Sequence, residues 1–96
     1  MTYNTIINVI SILENILNDK NNRNEKVMNF SNEVTTHGKQ YSKYIGLLAY
    51  DMNYYDQDPE LQKKYGYFGD DKLEMMIKEA LIVLNKEKNE VRQYGT

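Results

Sequence analysis

Apolar residues recur along the first stretch of the chain with a helical period. Ile6, Val9, Ile10, Leu13, Ile16 and Leu17 form one stripe, and Asn4, Asn8, Ser11, Asn15 and Asn18 form the opposite one. Steps of three and four residues place each set on one face of an α-helix, so the pattern predicts a helix from Tyr3 to Asn18. The β-branched content would also suit a strand, but strict alternation is missing and the stretch is long for one. Asn18 to Asn24 then breaks the period as a polar linker.

A second helix is predicted from about Asn24 to Thr36, where Val27, Phe30 and Val34 share a narrow face, and Gly38 after His37 marks its end. A third runs from Lys39 to Tyr55, with Tyr41, Tyr44, Ile45, Leu48, Met52 and Tyr55 at helical spacing. Tyr41, Tyr44 and Tyr55 read as core or half-core positions with hydroxyls reaching the surface. Tyr50 and Tyr54 lie one turn apart on the other side of that helix. The segment Asp56 to Asp70 holds Asp58-Pro59, Gly66 and Gly69 and reads as a long loop. It carries one helical turn begun by Pro59-Glu60-Leu61 behind an Asp58 N-cap. The fourth helix opens on Asp71-Lys72-Leu73-Glu74, which has the spacing of a capping box. It continues through Leu73, Met76, Ile77, Ala80, Leu81 and Leu84. From Lys86 the period decays, and residues 86–96 are expected to form a charged, partly frayed tail. With no strand pattern and no internal repeat, the expected fold is all-α. It is a single domain over residues 1–96, built as an antiparallel four-helix bundle with a long loop before the last helix.

Composition narrows the chemistry. The 96 residues include no Cys, no Trp, one His and one Pro. Thiol catalysis, disulfides, zinc fingers and iron–sulfur ligation are excluded, and a single imidazole excludes any site needing two. No cofactor is expected. No run approaches the roughly 20 apolar residues of a membrane span, and no basic leader precedes the first apolar run, so a cytoplasmic protein is expected.

Charge changes the picture more. The net charge is −2, but it is a cancellation. Residues 51–74 carry seven acids against three bases, net −4, while the segments on either side each carry +1. With Tyr50 included, the same stretch holds five of the nine tyrosines: Tyr50, Tyr54, Tyr55, Tyr65 and Tyr67. A surface of one sign speeds encounter with a partner of the other. Direct nucleic-acid binding is disfavoured, since phosphates need Lys and Arg in excess. Tyr50, Tyr54, Tyr65 and Tyr67 are candidate contact residues, because tyrosine buries much area at low entropic cost.

Catalytic constellations are sparse. His37 beside Gly38 reads first as a cation at a helix C-terminus. Asp51 with Asp56, or Asp70 with Asp71, are paired carboxylates, but acids in polar loops and at helix starts are more simply caps. Asp56-Gln57-Asp58-Pro59-Glu60 alternates oxygen ligands yet lacks the glycine and distal glutamate of an EF-hand. There is no Glu-x-x-His pair for a di-metal bundle, and Met75 and Met76 suggest no cofactor role. A metal site and an enzyme are therefore not expected.

Three stretches carry a family resemblance: Asp56-Gln57-Asp58-Pro59-Glu60-Leu61, then Tyr65-Gly66-Tyr67-Phe68-Gly69-Asp70-Asp71-Lys72-Leu73, then a helix ending Ala80-Leu81-Ile82-Val83-Leu84. An acidic Asp-Pro turn, a tyrosine-bearing loop and an acid-capped last helix resemble the C-terminal half of colicin-D-type immunity proteins. Relatives of these serve contact-dependent growth inhibition systems. The resemblance covers about a third of the chain, within residues 56–84. It implies a small helical inhibitor that sets acids against the basic substrate cleft of a cognate toxin, commonly a tRNA-cleaving nuclease. The positions that match are Asp56, Asp58, Glu60, Asp70 and Asp71. The charge and tyrosine pattern adds Tyr50, Asp51, Tyr54, Tyr65 and Tyr67. The alternative is a phage or plasmid accessory protein, acting as another kind of inhibitor or as an oligomeric adaptor with Ile7 and Ile12 on a homodimer seam.

Overall fold

The computed structural model describes residues 1–93. The chain is all-α: α1 is Tyr3–Asn18, α2 Arg23–Thr36, α3 Lys43–Met52, α4 Pro59–Tyr65 and α5 Asp70–Gln93, with a 3₁₀ turn at Gly38–Gln40. The stripes read from the sequence meet in one core. Ile6, Val9, Leu13 and Ile16 of α1 face Leu73, Ile77, Ala80 and Leu84 of α5, and Val27, Phe30 and Val34 of α2 pack against Ile45, Leu48, Ala49 and Met52 of α3. Each large apolar side chain fully buried in this way contributes roughly 1.5–3 kcal/mol.

α1 has the predicted limits. The Thr2 hydroxyl accepts from the Thr5 amide and caps its first turn. Beyond its end, the Asp19 carboxylate accepts from the Asn21 amide and pairs with Lys26, which folds the linker onto α2. Asn22 precedes α2 with φ of 54°, a left-handed conformation that asparagine tolerates better than most side chains.

Five expectations are corrected. The third helix starts at Lys43 and not Lys39, because Ser42 caps it by accepting from the Ile45 amide; Tyr41 lies before it. It ends at Met52, so Tyr54 lies in a turn just past α3 and Tyr55 in a β-bridge, not in the helix. Among the three tyrosines read as core or half-core, Tyr55 is buried and Tyr41 half-buried, but Tyr44 is exposed.

The long loop contains a seven-residue helix, α4. Asp58 caps it by accepting from the Glu60 amide, Pro59 opens it, and Gly66 closes it at φ of 72°. That φ belongs to the left-handed region, where a Cβ is penalised.

α5 begins at Asp70, one residue before the expected start, and Glu74 does not reach back as a capping box requires; its carboxylate is bound to Arg23. Finally, α5 continues to Gln93, so residues 86–93 are helix and not tail; the remainder, 94–96, lies outside the described residues. Lys, Glu, Arg and Gln are good helix formers, and Val91 packs against the core.

Candidate binding surface

A single guanidinium organises the end of the molecule where the candidate residues gather. Arg23 follows the linker after α1 and is fully buried, at 0% exposure. Its Nε donates to the carbonyl of Ile16 at 3.0 Å and its Nη2 to that of Leu17 at 2.9 Å. These are carbonyls of the last turn of α1, which have no partner within the helix. Its Nη1 donates to Asp70 Oδ1 at 2.8 Å and to Glu74 Oε2 at 2.9 Å, one turn apart at the start of α5. The hydroxyl of buried Tyr55, just past α3, donates to the same Asp70 oxygen at 2.7 Å. The Arg23 pKa is raised: its burial works against the charge, but the two carboxylates overcome this. The Tyr55 hydroxyl is pushed above the usual tyrosine range, by burial first and by Asp70 second. Asp70 is held below its usual range, first by the Tyr55 hydroxyl and then by Arg23, against the opposing effect of burial.

Around this anchor the chain between α3 and α5 is fastened at both ends. The Phe68 amide donates to the Tyr54 carbonyl at 2.9 Å, and the Asp56 amide to the Phe68 carbonyl at 3.1 Å, forming one isolated β-bridge between Tyr55 and Phe68. Asn24 of α2 exchanges hydrogen bonds with the Gln57 backbone and side chain and donates to Asp56. Gln62 donates from Nε2 to the Asp56 carbonyl at 2.7 Å. It also lies so near Gly69 that a Cβ there would stand 2.9 Å from that nitrogen.

On the outside of this clasp lie four tyrosines in a row. Tyr50 and Tyr54 meet edge to face at 5.8 Å, with their hydroxyls 3.2 Å apart. Tyr54 meets Tyr67 edge to face at 6.4 Å, and Tyr67 lies 5.6 Å from Tyr65 in a tilted stack. Tyr50 is 60% exposed, Tyr65 56% and Tyr54 45%; Tyr67 is half-buried between them. Leu47, one turn before Tyr50 on α3, is exposed as well and extends the band. The Tyr54 hydroxyl is pushed upward, chiefly by its hydrogen bond to Tyr50.

The acids divide into three groups. Asp51, Glu60 and Asp71 are exposed, and their carboxylates make no hydrogen bond or ion pair among the described residues. Asp56 and Asp58 cap the turn into α4, each accepting from a backbone amide two residues on, and Asp56 also accepts from Asn24. Asp70 is committed inward to Arg23 and Tyr55, which limits what it can offer a partner. Sequence reasoning missed Arg23, which it left in a polar linker. The available signal was a cation just past a helix end, with two acids one turn apart at the head of another helix.

Other candidates have structural roles. His37 Nδ1 lies 2.8 Å from Glu33 Oε2 one turn back on α2, and the Tyr41 hydroxyl donates to the same carboxylate. Among the described residues no group of three or more His, Cys, Asp or Glu could hold a metal ion, and no helix is long and apolar enough to cross a membrane. No family model, curated protein or solved structure matches the chain.

Proposed function

We propose that this protein is an inhibitor that binds another protein, in the manner of a cytoplasmic immunity protein. Its partner is a toxin domain with a basic active site, a tRNA-cleaving nuclease being the form that the family resemblance favours. The four longer helices act as an antiparallel bundle that holds the binding end rigid. The observation that carries this reading is the row Tyr50, Tyr54, Tyr67 and Tyr65, in contact ring to ring with three of the four exposed, together with exposed Asp51, Glu60 and Asp71, whose carboxylates have no partner among the described residues. A soluble surface gains nothing from a contiguous aromatic band, whereas tyrosine is a dominant anchor of protein interfaces. The flanking carboxylates supply the steering and mask the cationic groups of the toxin; Asp56 and Asp58 shape the turn that presents α4. The adaptor alternative has less support, since Ile12, one half of its seam, packs against the core.

The test is protection. The probe is the C-terminal domain encoded by the gene immediately upstream: cells poisoned by it should survive when this protein is co-expressed, and the two should co-purify. Tyr54→Ala with Tyr65→Ala should abolish both while the thermal midpoint stays close to that of the parent. Full protection by that double variant would remove the ridge from the interface.

A further inference from the structure

Between the end of α3, the segment 66–68 and the first turns of α5 lies a cleft of about 500 Å³ lined by Asp51, Tyr54, Gly66, Phe68, Lys72 and Met76. Its lining combines two aromatic rings and a thioether with one carboxylate and one ammonium. Asp51 has no partner for its charge among the described residues. The ammonium of Lys72, one of the lining residues, stands over the Phe68 ring at 5.1 Å from its centroid. An ammonium in that place marks what the ring face attracts: the negative face of an aromatic ring holds a cation, and a guanidinium stacks there better than an ammonium. Lys72 is exposed on a flexible stem and can swing away.

We propose that this cleft is the socket for an arginine side chain of the partner, its guanidinium laid on Phe68 and Tyr54 and paired with Asp51, in place of Lys72. The inference rests on the protein-binding reading above and adds to it the chemistry of the anchor. Gly66 adds no side chain to the lining, and Met76 gives it a polarisable surface that adapts to the aliphatic stem. Lys72 then acts as an internal competitor. Its removal improves binding, although it lies in the middle of the site.

The experiment needs no toxin. N-acetyl-L-argininamide is titrated into the intact protein while the Met76 methyl and the Phe68 and Tyr54 ring resonances are followed by NMR. The neutral citrulline analogue serves as the control. Saturable shifts at these three residues are expected with the arginine compound and not with citrulline. Asp51→Asn should weaken the binding roughly two- to five-fold, the scale of a partly exposed charge contact. Lys72→Met should strengthen it by a similar factor. Equal shifts with both compounds, or weaker binding in Lys72→Met, would overturn the proposal. If ridge variants lose protection while argininamide leaves the cleft unmoved, the socket alone falls. If argininamide binds but ridge variants still protect, the socket stands as a guanidinium site and the interface reading falls.

Discussion

The Nη1 of Arg23 meets Asp70 at 2.8 Å across 47 positions of sequence, with the guanidinium wholly buried and the carboxylate still touching water. One side chain thereby joins the last turn of α1, the first turn of α2 and the first turn of α5, and through Asp70 the exit of α3.

Arg23→Ala should lower stability by about 2–4 kcal/mol, mainly by emptying a fully buried position, because the Asp70 and Glu74 carboxylates it leaves are partly exposed and regain water. It also strips the donors from two carbonyls of α1. A triple variant, Arg23→Met with Asp70→Asn and Glu74→Gln, should lose less, since methionine keeps the position filled. Urea denaturation midpoints of the three proteins check the order.

The Tyr55 hydroxyl has a folded pKa above its ordinary value of 10.0. The folded state therefore keeps the proton longer than the unfolded chain. Stability is complete below pH 10 and declines as the pH rises beyond it. Tyr55→Phe should flatten part of that decline while costing stability at neutral pH. Tyr41, Tyr44 and Tyr54, which are also shifted upward, keep some slope. Denaturant unfolding at about pH 9 and about pH 11 for both proteins measures the difference.

Asp70 gives the opposite limb. Its folded pKa lies below the ordinary 3.8, so its contribution is present above that value and is lost as the pH falls through the folded one. The carboxylate is 40% exposed, and screening by solvent keeps the loss to about 1 kcal/mol or less. Asp70→Asn should make unfolding less sensitive to acid below about pH 4.

Two glycines should respond with opposite sign. Gly66 closes α4 at φ of 72°, so Gly66→Ala should cost about 1–2 kcal/mol. Gly46 stands inside α3 with nothing within 4 Å of a Cβ built on it, and Gly46→Ala should add about 0.5–1 kcal/mol. Thermal midpoints will show one falling and the other rising.

The sequence was a good guide wherever one face of a helix is buried along its whole length. The limits of α1 and the buried stripe of α5 follow from side-chain period alone, because the period is what burial demands. It guided less well where the backbone is held by single hydrogen bonds. Ser42 starts α3 in the middle of an apolar pattern that runs through it unbroken. α4 buries no residue, so it leaves no stripe to read; only Asp58, Pro59 and Gly66 mark it. The acidic, tyrosine-rich stretch was legible as a candidate surface, since Tyr50, Tyr54, Tyr65 and Tyr67 do come together. The diversion of Asp70 and Glu74 inward was not, because their partner Arg23 lies far off in sequence, amid asparagines.

The pairing of α1 with α5 also sets a clock. Until Asp70 and the residues after it exist, Ile6, Val9, Leu13 and Ile16 lack the larger part of the surface they are buried against. At about 5–20 residues per second, a ribosome takes on the order of seconds to pass from Asn18 to that point. Over that interval the apolar face of the nascent first helix is only partly covered, chiefly by α2 among its direct neighbours. The exit of α3 is likewise unfastened until Phe68 and Asp70 arrive. The tyrosine row then assembles in a single late step, so incomplete chains carry the residues of the binding end but not its shape.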